Sequence, residues 1–294
     1  MLFPYSKEKI FESRLMISPE KLIQGFRATA SPPIIYIRLN KAINNPDSSL
    51  ADIGTIISED SALSARLLKL VNSSFYGFPQ RIGSISEAVL LVGSKQVRDI
   101  ALVTRMLHAF NGIPEDLINL ESFWLHSLAC GVGSKILAQE MGESEFEQYF
   151  VSGVLHDIGR MIMFSKIPDK SKTLIRRSLD EKRPLIELER EEIGSTHAEI
   201  GKRLMESWNL PLYFQEAAEF HHAPEMAGHF PLETAAVHIA DVLAHSLQFG
   251  SSGEHFVPPL KNESWDAVKI ASSKIPGLME KIDKEVNAIT WMIN

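Results

Sequence analysis

The sequence predicts an all-α protein. Apolar residues recur at helical spacing in one short segment after another, whereas the period-2 alternation typical of β-strands is scarce. Hydroxyl or carboxylate residues that can cap a helix stand before several of these segments. The chain has 294 residues, 45% hydrophobic and 23% charged, so collagen-like, low-complexity and disordered classes are excluded.

The N-terminal region is predicted to be a run of short helices. The proline pair at 32–33 delays helix formation to about Ile35. Ser49 and Asp52 form a capping arrangement before the next helix. The expected starts of the three helices that follow are Asp60 or Ser61, the capping box Ser84–Glu87, and Ser94 as a cap. The polar stretch 72–74 and Gly93 are the expected ends of the first two.

The clearest break in the helical pattern is the stretch 111–114, Asn-Gly-Ile-Pro. We therefore predict a domain boundary near residue 113, between an N-terminal helical subdomain, 1–113, and a second helical subdomain, 114–294. Longer helices are predicted beyond the break, with close packing permitted at Gly131 and Gly133. They cover 116–141, 146–166 (ended by Pro168-Asp169), 196–208 after the capping box Thr196–Glu199, 212–222, 232–247, 263–272 and 276–292.

Charge and histidine are unevenly distributed along the chain. The first 115 residues carry 13 Lys and Arg against 10 Asp and Glu, and the remainder carries 17 against 27. All ten histidines lie from His108 onward. This asymmetry indicates two regions with different functions.

The composition also bears on compartment and partners. The single cysteine, Cys130, cannot form an internal disulfide and favours a reducing compartment. The first residues lack the apolar core of an export signal, and no apolar run approaches the roughly 20 residues of a membrane span. We expect a cytoplasmic protein with no membrane partner. The segment 50–72 superficially resembles a helix-turn-helix, but its bases, Arg66 and Lys69, are too few for DNA, and the net charge is −7.

A set of imidazole and carboxylate side chains on the later helices predicts a metal site. Such ligands suit Fe, Mn, Ni or Zn, and without clustered cysteines a structural zinc site is excluded. One or two ions would fit, and two would suit phosphate-ester hydrolysis. His238, Asp241 and His245 share one helical face, which is either a ligand helix or a polar face. The full set is His126, His156, Asp157, His197, His221, His222 and Asp241.

The segment Leu155-His156-Asp157-Ile158-Gly159 resembles the signature of the HD superfamily, all-α metal-dependent phosphohydrolases. His126, the His156-Asp157 pair and Asp241 match the positions of its minimal ligand set. The sequence is more closely similar to the HDOD family, a bacterial signalling branch without established catalysis. That resemblance covers about residues 16–250 and is carried, in order, by the segments 45–49, 58–63, 72–76, 195–201, 208–211 and 221–224.

Departures from related families bear on the expected chemistry. Ser61 stands where the HDOD family usually has proline. The HD-GYP phosphodiesterases, which hydrolyse cyclic di-GMP, have a glutamate ligand where this chain has Ser122 and a lysine where it has Arg160. Ala223 stands in place of their carboxylate, and 228–231 in place of their Gly-Tyr-Pro loop. One anionic ligand fewer weakens the case for several ions.

The resemblance implies an HD-like helical bundle preceded by a helical subdomain. It implies a signal-transduction or scaffold protein that works with an unidentified protein partner and lacks robust catalysis. The alternative is a metal-dependent phosphohydrolase acting on a nucleotide or cyclic dinucleotide, with Fe, Mn or Ni bound and Arg160 as a phosphate ligand. Lys166 and Arg203 are weaker phosphate candidates. The primary ligands are His126, His156, Asp157 and Asp241, and those of a second ion are His197, His221 and His222.

Overall fold

The computed structural model describes residues 16–27, 33–110 and 112–293. These residues form α-helices and short 3-10 turns, and no β-strand occurs among them. The predicted all-α class is therefore confirmed. Pro32, Asn111 and the start of the chain, on which the export-signal expectation rests, lie outside the described residues.

The N-terminal half consists of short helices, as predicted. Their bounds are α1 Pro19–Arg27, α2 Ile34–Ile43, α3 Leu50–Ser58, α4 Ser61–Val71, α5 Ile85–Val92 and α6 Ser94–Met106. Ser49 and Asp52 form a complete capping box on α3. Asp60 rather than Ser61 caps α4, through the backbone N–H of Leu63.

Two predicted helix starts differ from the structure. Ser84 caps α5 through the Glu87 N–H, but the Glu87 carboxylate accepts from the Gly83 N–H and not from Ser84, so the box is only half formed. The prediction that Ser94 caps α6 is wrong. Gly93 occupies the cap position at φ 100°, a conformation that glycine reaches without steric cost, and α6 begins at Ser94 itself.

The C-terminal half contains the longer helices. Their bounds are α7 Leu120–Met141, α8 Phe146–Leu155, α9 Ile158–Lys166, α10 Pro168–Glu181, α11 Leu185–Ile193, α12 His197–Ser207, α13 Leu212–Phe220, α14 Pro231–Ser246, α15 Asn262–Val268 and α16 Ile275–Ile289. The 3-10 turns are Pro224–Met226, Ser272–Lys274 and Thr290–Met292. In the part of the chain described, no helix is both long and apolar enough to cross a bilayer.

The prediction of a single helix over 146–166 is wrong. The helix is interrupted at His156 and Asp157. There the Arg160 N–H donates to the Asp157 carbonyl, three residues earlier, in a tight turn. The apolar periodicity continues through the break because both halves are buried, so periodicity cannot reveal it. Pro168 does not merely end a helix either, since it begins α10, where its missing N–H costs nothing.

Helix α7 is the central element of the C-terminal half. It packs against α8, α14 and α16, and nearly all of its length from Phe123 is buried. A Cβ built on Gly131 would lie 2.8 Å from the Phe150 carbonyl oxygen, and one on Gly133 would lie 3.0 Å from the Ala240 Cβ. The close approach predicted at these glycines is confirmed. Cys130 on the same helix is a buried free thiol.

The two halves share one apolar core. Phe75, only 2% exposed, packs edge-on against Phe150 of α8 with ring centroids 4.7 Å apart. The buried Lys135 ammonium of α7 donates to the Phe75 carbonyl and lies 2.9 Å from the Glu285 carboxylate of α16. The Asn72 side chain bridges the end of α4 to the backbone of Ile82. The boundary near residue 113 stays a prediction.

An ion-pair cluster joins α7 to the C-terminal helix and predicts an acid-sensitive contribution to stability. The Glu140 carboxylate lies 2.7 Å from the Lys274 ammonium and 2.6 Å from that of Lys281, and these contacts lower its pKa to about 2. Because the folded-state pKa is depressed, the contribution is present above the ordinary pKa of 4.5 and is lost as the pH falls toward 2. Since both lysines are exposed, screening limits it to about 1 kcal/mol.

We expect Glu140→Gln to reduce the free energy of unfolding by about 1 kcal/mol near neutral pH. The difference from the wild type should shrink as the pH is lowered from about 5 to about 3. Urea denaturation across this range measures it. Glu280→Gln, at an exposed position of α16, is the matched control and should show no such trend. A deficit independent of pH would contradict the assignment.

Candidate metal centre

The fold gathers all seven predicted ligand residues at one point between the C-terminal helices. They come from five places: His126 on α7, His156 and Asp157 in the α8–α9 turn, His197 at the start of α12, His221 and His222 at the end of α13, and Asp241 on α14. The turn that replaces the predicted continuous helix brings the His156-Asp157 pair into the cluster.

The first ligand group consists of Asp157, His197, His221 and His222, whose donor atoms all lie within 4.8 Å of one another. The Nε2 atom of His197 lies 3.3 Å from that of His221 and 3.1 Å from that of His222, and 3.1 Å from Asp157 Oδ1. Ligand nitrogens at 2.0–2.1 Å from one ion, at tetrahedral or octahedral angles, lie about 2.9–3.4 Å apart. The measured separations fit a shared ion.

The other ring nitrogens of this group show which tautomer is present. His197 Nδ1 lies 2.6 Å from the Glu189 carboxylate, and His221 Nδ1 lies 2.9 Å from the Ala218 carbonyl. Both partners are acceptors, so each Nδ1 carries a proton and each Nε2 faces the other ligands of the group. When both rings are neutral, two Nε2 lone pairs face each other at 3.3 Å, and a cation between them would remove their repulsion.

A second group consists of His126, Asp241 and His245. Asp241 Oδ1 lies 3.1 Å from His126 Nε2 and 3.4 Å from His245 Nε2. The His126 ring nitrogens, His156 Nε2 and Asp241 Oδ1 are buried polar atoms that have no hydrogen-bond partner among the described residues. Buried polar atoms are rarely left unpaired in native structures, so an ion is the natural partner here.

Asp157 and His156 connect the two groups. Asp157 Oδ1 faces His197, whereas its Oδ2 lies 3.4 Å from His156 Nε2, which in turn is 3.7 Å from Asp241 Oδ1. The donor atoms of His126, His156 and Asp157 also lie within 4.8 Å of one another. The carboxylate of Asp157 is therefore placed to bridge two ions.

Two residues of the centre were absent from the predicted ligand set. His245 belongs to the second group, and its spacing of four from Asp241 was the available signal. Of the three residues that share one helix face, Asp241 and His245 belong to the ligand group. His238 does not, because it accepts from the Lys261 N–H and contacts the His221 carbonyl. Glu189, which orients His197, lies in a charged stretch without a motif.

The carboxylates of the centre are held in the ionised form. Burial raises the pKa of Asp157, but the Arg160 guanidinium and His156 outweigh burial and hold this pKa well below its ordinary value. For Asp241, burial is likewise outweighed by the adjacent His126 and the other neighbouring imidazoles, and its pKa is also far below the ordinary value. Both aspartates are thus available as anionic ligands.

Three of the six imidazoles of the centre are held neutral, whereas the pKa values of His156 and His197 are raised. Burial, and then the charge of His156, lowers the pKa of His221 to about 3. Burial and the adjacent His221 lower the pKa of His222 well below its usual range, and burial lowers that of His245 to about 4. Neutral imidazole is the form that binds a metal ion.

His156 indicates that the centre favours positive charge. Burial opposes its protonation, but the Cys130 sulfur and the Asp157 carboxylate hold the pKa of His156 well above its ordinary value. A divalent cation meets the same attraction and displaces the proton when it binds.

Arg160 lies inside the centre and not at its surface. The side chain is 1% exposed, with its guanidinium 3.2 Å from the Asp157 carboxylate and 3.4 Å from that of Glu189. Its role as a phosphate ligand stays a prediction, and a phosphate would have to compete with two carboxylates. The weaker candidate Arg203 pairs with Glu20 and Glu206 at the surface.

Access to the centre is limited to two ligands. His126, His156, His197 and His221 are completely buried, whereas His222 and His245 are half-buried. A substrate or solvent molecule would therefore approach past His222 in the first group or His245 in the second.

The contacts of Glu189 with His197 predict that Glu189 contributes measurably to metal affinity. It accepts from both the ring and the backbone N–H of His197, which fixes the tautomer and the ring orientation. Removing such an outer partner typically weakens metal binding by about 10–100-fold. We expect Glu189→Gln to do so in competition with a chelator. Glu187→Gln, an exposed neighbour on α11, is the control, and equal affinities for the two variants would contradict the assignment.

The comparisons with known proteins agree with this geometry. The family model of the HDOD domain matches residues 30–224. An uncharacterized protein of Treponema pallidum (strain Nichols) is 30% identical over 200 residues, which are 66% of this chain and 38% of that relative. The chain thus spans well under half of the relative's length.

Two solved structures share the fold. One is an HDOD domain protein of unknown function from Geobacter sulfurreducens, with a TM-score of 0.72 and 22% identity, covering 92% of this chain and 96% of its own. The other is a candidate phosphohydrolase from Shewanella amazonensis SB2B, with a TM-score of 0.70 and 23% identity, covering 93% and 98%. Together, the motifs, the helical fold and the family match show that the chain belongs to the HDOD domain family.

Proposed function

We propose that this chain is a metal-dependent phosphohydrolase whose centre binds two divalent ions. The observation that carries the proposal is the convergence of three imidazole Nε2 atoms, with those of His221 and His222 at 3.3 and 3.1 Å from that of His197. The unpartnered His126, His156 and Asp241 atoms support a second ion. The candidate phosphohydrolase of similar fold supports the reaction class.

The donor set favours particular metals. Imidazole nitrogens outnumber carboxylates, and neither ligand group contains cysteine. Fe, Mn and Ni suit such sites better than Mg, which prefers oxygen ligands. When bound, ions of this kind supply Lewis-acid chemistry for hydrolysis of a phosphate ester.

The residues of the chain have separate tasks in this proposal. Asp157 would contribute to holding both ions, and Arg160 fixes the orientation of its carboxylate. Glu189 fixes His197 in the same way. His222 and His245 stand at the accessible side, where a phosphate ester of a nucleotide or cyclic dinucleotide would be admitted.

Reconstitution with single metals tests the proposal. Metal-free protein is loaded with Mn²⁺, Fe²⁺ or Ni²⁺, the bound metal is measured, and turnover is assayed with bis(p-nitrophenyl) phosphate, nucleotides and cyclic dinucleotides. We expect metal-dependent turnover that His221→Ala abolishes. His255→Ala, at an exposed histidine, is the matched control and should retain it. Metal binding without turnover of any substrate would overturn the enzymatic assignment.

The second candidate is a signalling module in which the metal centre is structural and an unidentified protein is the partner. The observation that favours it is the complete burial of four histidines, which restricts substrate access. Under this proposal, metal loading raises the thermal stability and strengthens binding to a partner without turnover. Turnover that disappears with His221→Ala would exclude it as the sole function.

A further inference from the structure

A cleft lies where α4 and the loop after it face the C-terminal turn Thr290–Met292. We call it the α4–α16 cleft; its volume is about 690 Å³, and its walls include Leu68, Lys69, Ser73, Arg81, Ile82 and Trp291. This volume lies within the range of small-molecule sites in proteins. None of the candidate metal ligands lines it.

The cleft carries two cations that the fold leaves available. Lys69 and Arg81 are exposed, and neither has a carboxylate partner among the described residues. The nearby acids are engaged elsewhere, because Glu87 accepts from the Gly83 N–H and Glu285 pairs with Lys135. Two uncompensated cations on one cavity wall favour an anionic ligand.

An aromatic ring lies beside these cations. The Lys69 ammonium lies 4.1 Å from the centroid of the Trp291 ring, so it covers this face of the indole, and a stacked base would take its place there. The Trp291 Nε1–H donates to the Ala288 carbonyl, which fixes the plane of the ring. Leu68 and Ile82 provide apolar surface in the same cleft. A fixed indole next to cations suits a planar base attached to phosphate.

We propose that the α4–α16 cleft binds a purine nucleoside polyphosphate, with the base on the Trp291 ring and the phosphates between Lys69 and Arg81. The indole accepts the base because stacking is available to any purine, and the two cations accept the phosphate charge. The site is independent of the metal centre and of the proposed hydrolysis.

The cleft is connected to the helix that carries His126. Its loop wall continues to Phe75, whose carbonyl accepts from the Lys135 ammonium of α7, and its α16 wall carries Glu285, which pairs with the same ammonium. The loop after α4 and helix α16 thus contact the same buried side chain of α7.

Binding is tested on the full chain, freed of metal and without Mg²⁺, by calorimetry with ATP and GTP. Adenosine and inorganic tripolyphosphate are the two comparison probes, which carry the base or the phosphates alone. We expect ATP or GTP to bind at least tenfold more tightly than either comparison probe. Lys69→Glu and Arg81→Glu should each weaken binding by at least about tenfold.

Three controls keep the result decisive. Lys95→Glu makes the same charge change at an exposed position outside the cleft and should leave binding unchanged. His221→Ala should also leave it unchanged, whatever its effect on metal binding or turnover. Thermal melting of each variant verifies folding, which the exposed positions of Lys69 and Arg81 should preserve.

The possible contrary results are distinct. Absence of binding by both ATP and GTP at millimolar concentration overturns the proposal. Equal binding of tripolyphosphate and ATP overturns the role of Trp291, and equal binding by the wild type and both charge-reversal variants overturns the location. Loss of binding in His221→Ala alone would place the nucleotide at the metal centre instead.

Discussion

Replacing Gly159 with alanine is expected to destabilise the protein by at least about 3 kcal/mol. A Cβ built on Gly159 would lie 1.9 Å from the His197 carbonyl oxygen and 2.7 Å from the Gly201 nitrogen. Both contacts are with backbone atoms of α12, which cannot rotate away as a side chain can. Helices α9 and α12 would have to separate, and tightly packed interiors resist such shifts.

The same substitution should also weaken metal binding at the centre. His197 begins α12 and belongs to the first ligand group, so moving its backbone displaces one of the converging Nε2 atoms. We expect weaker metal binding together with the loss of stability, measured by chelator competition and by urea denaturation. Gly277→Ala is the matched control, because no atom lies within 4 Å of its built Cβ. A Gly159→Ala protein as stable as the control would mean that α9 and α12 are farther apart than described.

Asp157→Asn is expected to remove most of the bound metal from both ligand groups. Asp157 belongs to the first group and also lies within ligand distance of His126 and His156, beside the second group. An amide oxygen is a far weaker ligand than a carboxylate for a divalent ion. The change also deprives the buried Arg160 of its nearer carboxylate, at a cost of about 3 kcal/mol or more in the metal-free protein.

The contrast with Asp241→Asn makes this prediction specific. Asp241 belongs only to the group that contains His126 and His245, so this variant should lose one ion and keep the one held by Asp157, His197, His221 and His222. Elemental analysis after loading with Mn²⁺ gives the two stoichiometries directly. If both variants retain the same amount of metal, Asp157 does not bridge the groups.

Much of the fold could be predicted from local sequence. Helix starts with a side-chain acceptor, such as Ser49 and Thr196, agree with the structure because a cap satisfies backbone N–H groups within its own segment. The cap of α6, predicted at Ser94, and the break at His156-Asp157 were not predicted correctly. At the first point the cap depends on the backbone conformation of Gly93, and at the second the break lies between two buried helices. The spacing of apolar residues reveals neither.

The candidate centre was predictable in composition and not in arrangement. The spacing of His156-Asp157 and Asp241, read with the family resemblance, identified the residue types that the structure brings together. Arg160 was predicted to bind phosphate because guanidinium groups pair with phosphate, whereas here it is buried between Asp157 and Glu189. Glu189 could not be identified at all, since only the packing of α11 against the centre makes it a partner of His197.

The sequence by itself therefore determined the all-α class, most helix starts and the set of residues able to bind a metal. Those properties depend on hydrogen bonds and apolar spacing within single segments, and consecutive residues of the sequence determine both. The tertiary structure alone decided that five separate segments meet, that Asp157 stands between two ligand groups and that His245 joins one of them. These are distances between residues far apart in the chain, and they exist only once the helices have packed.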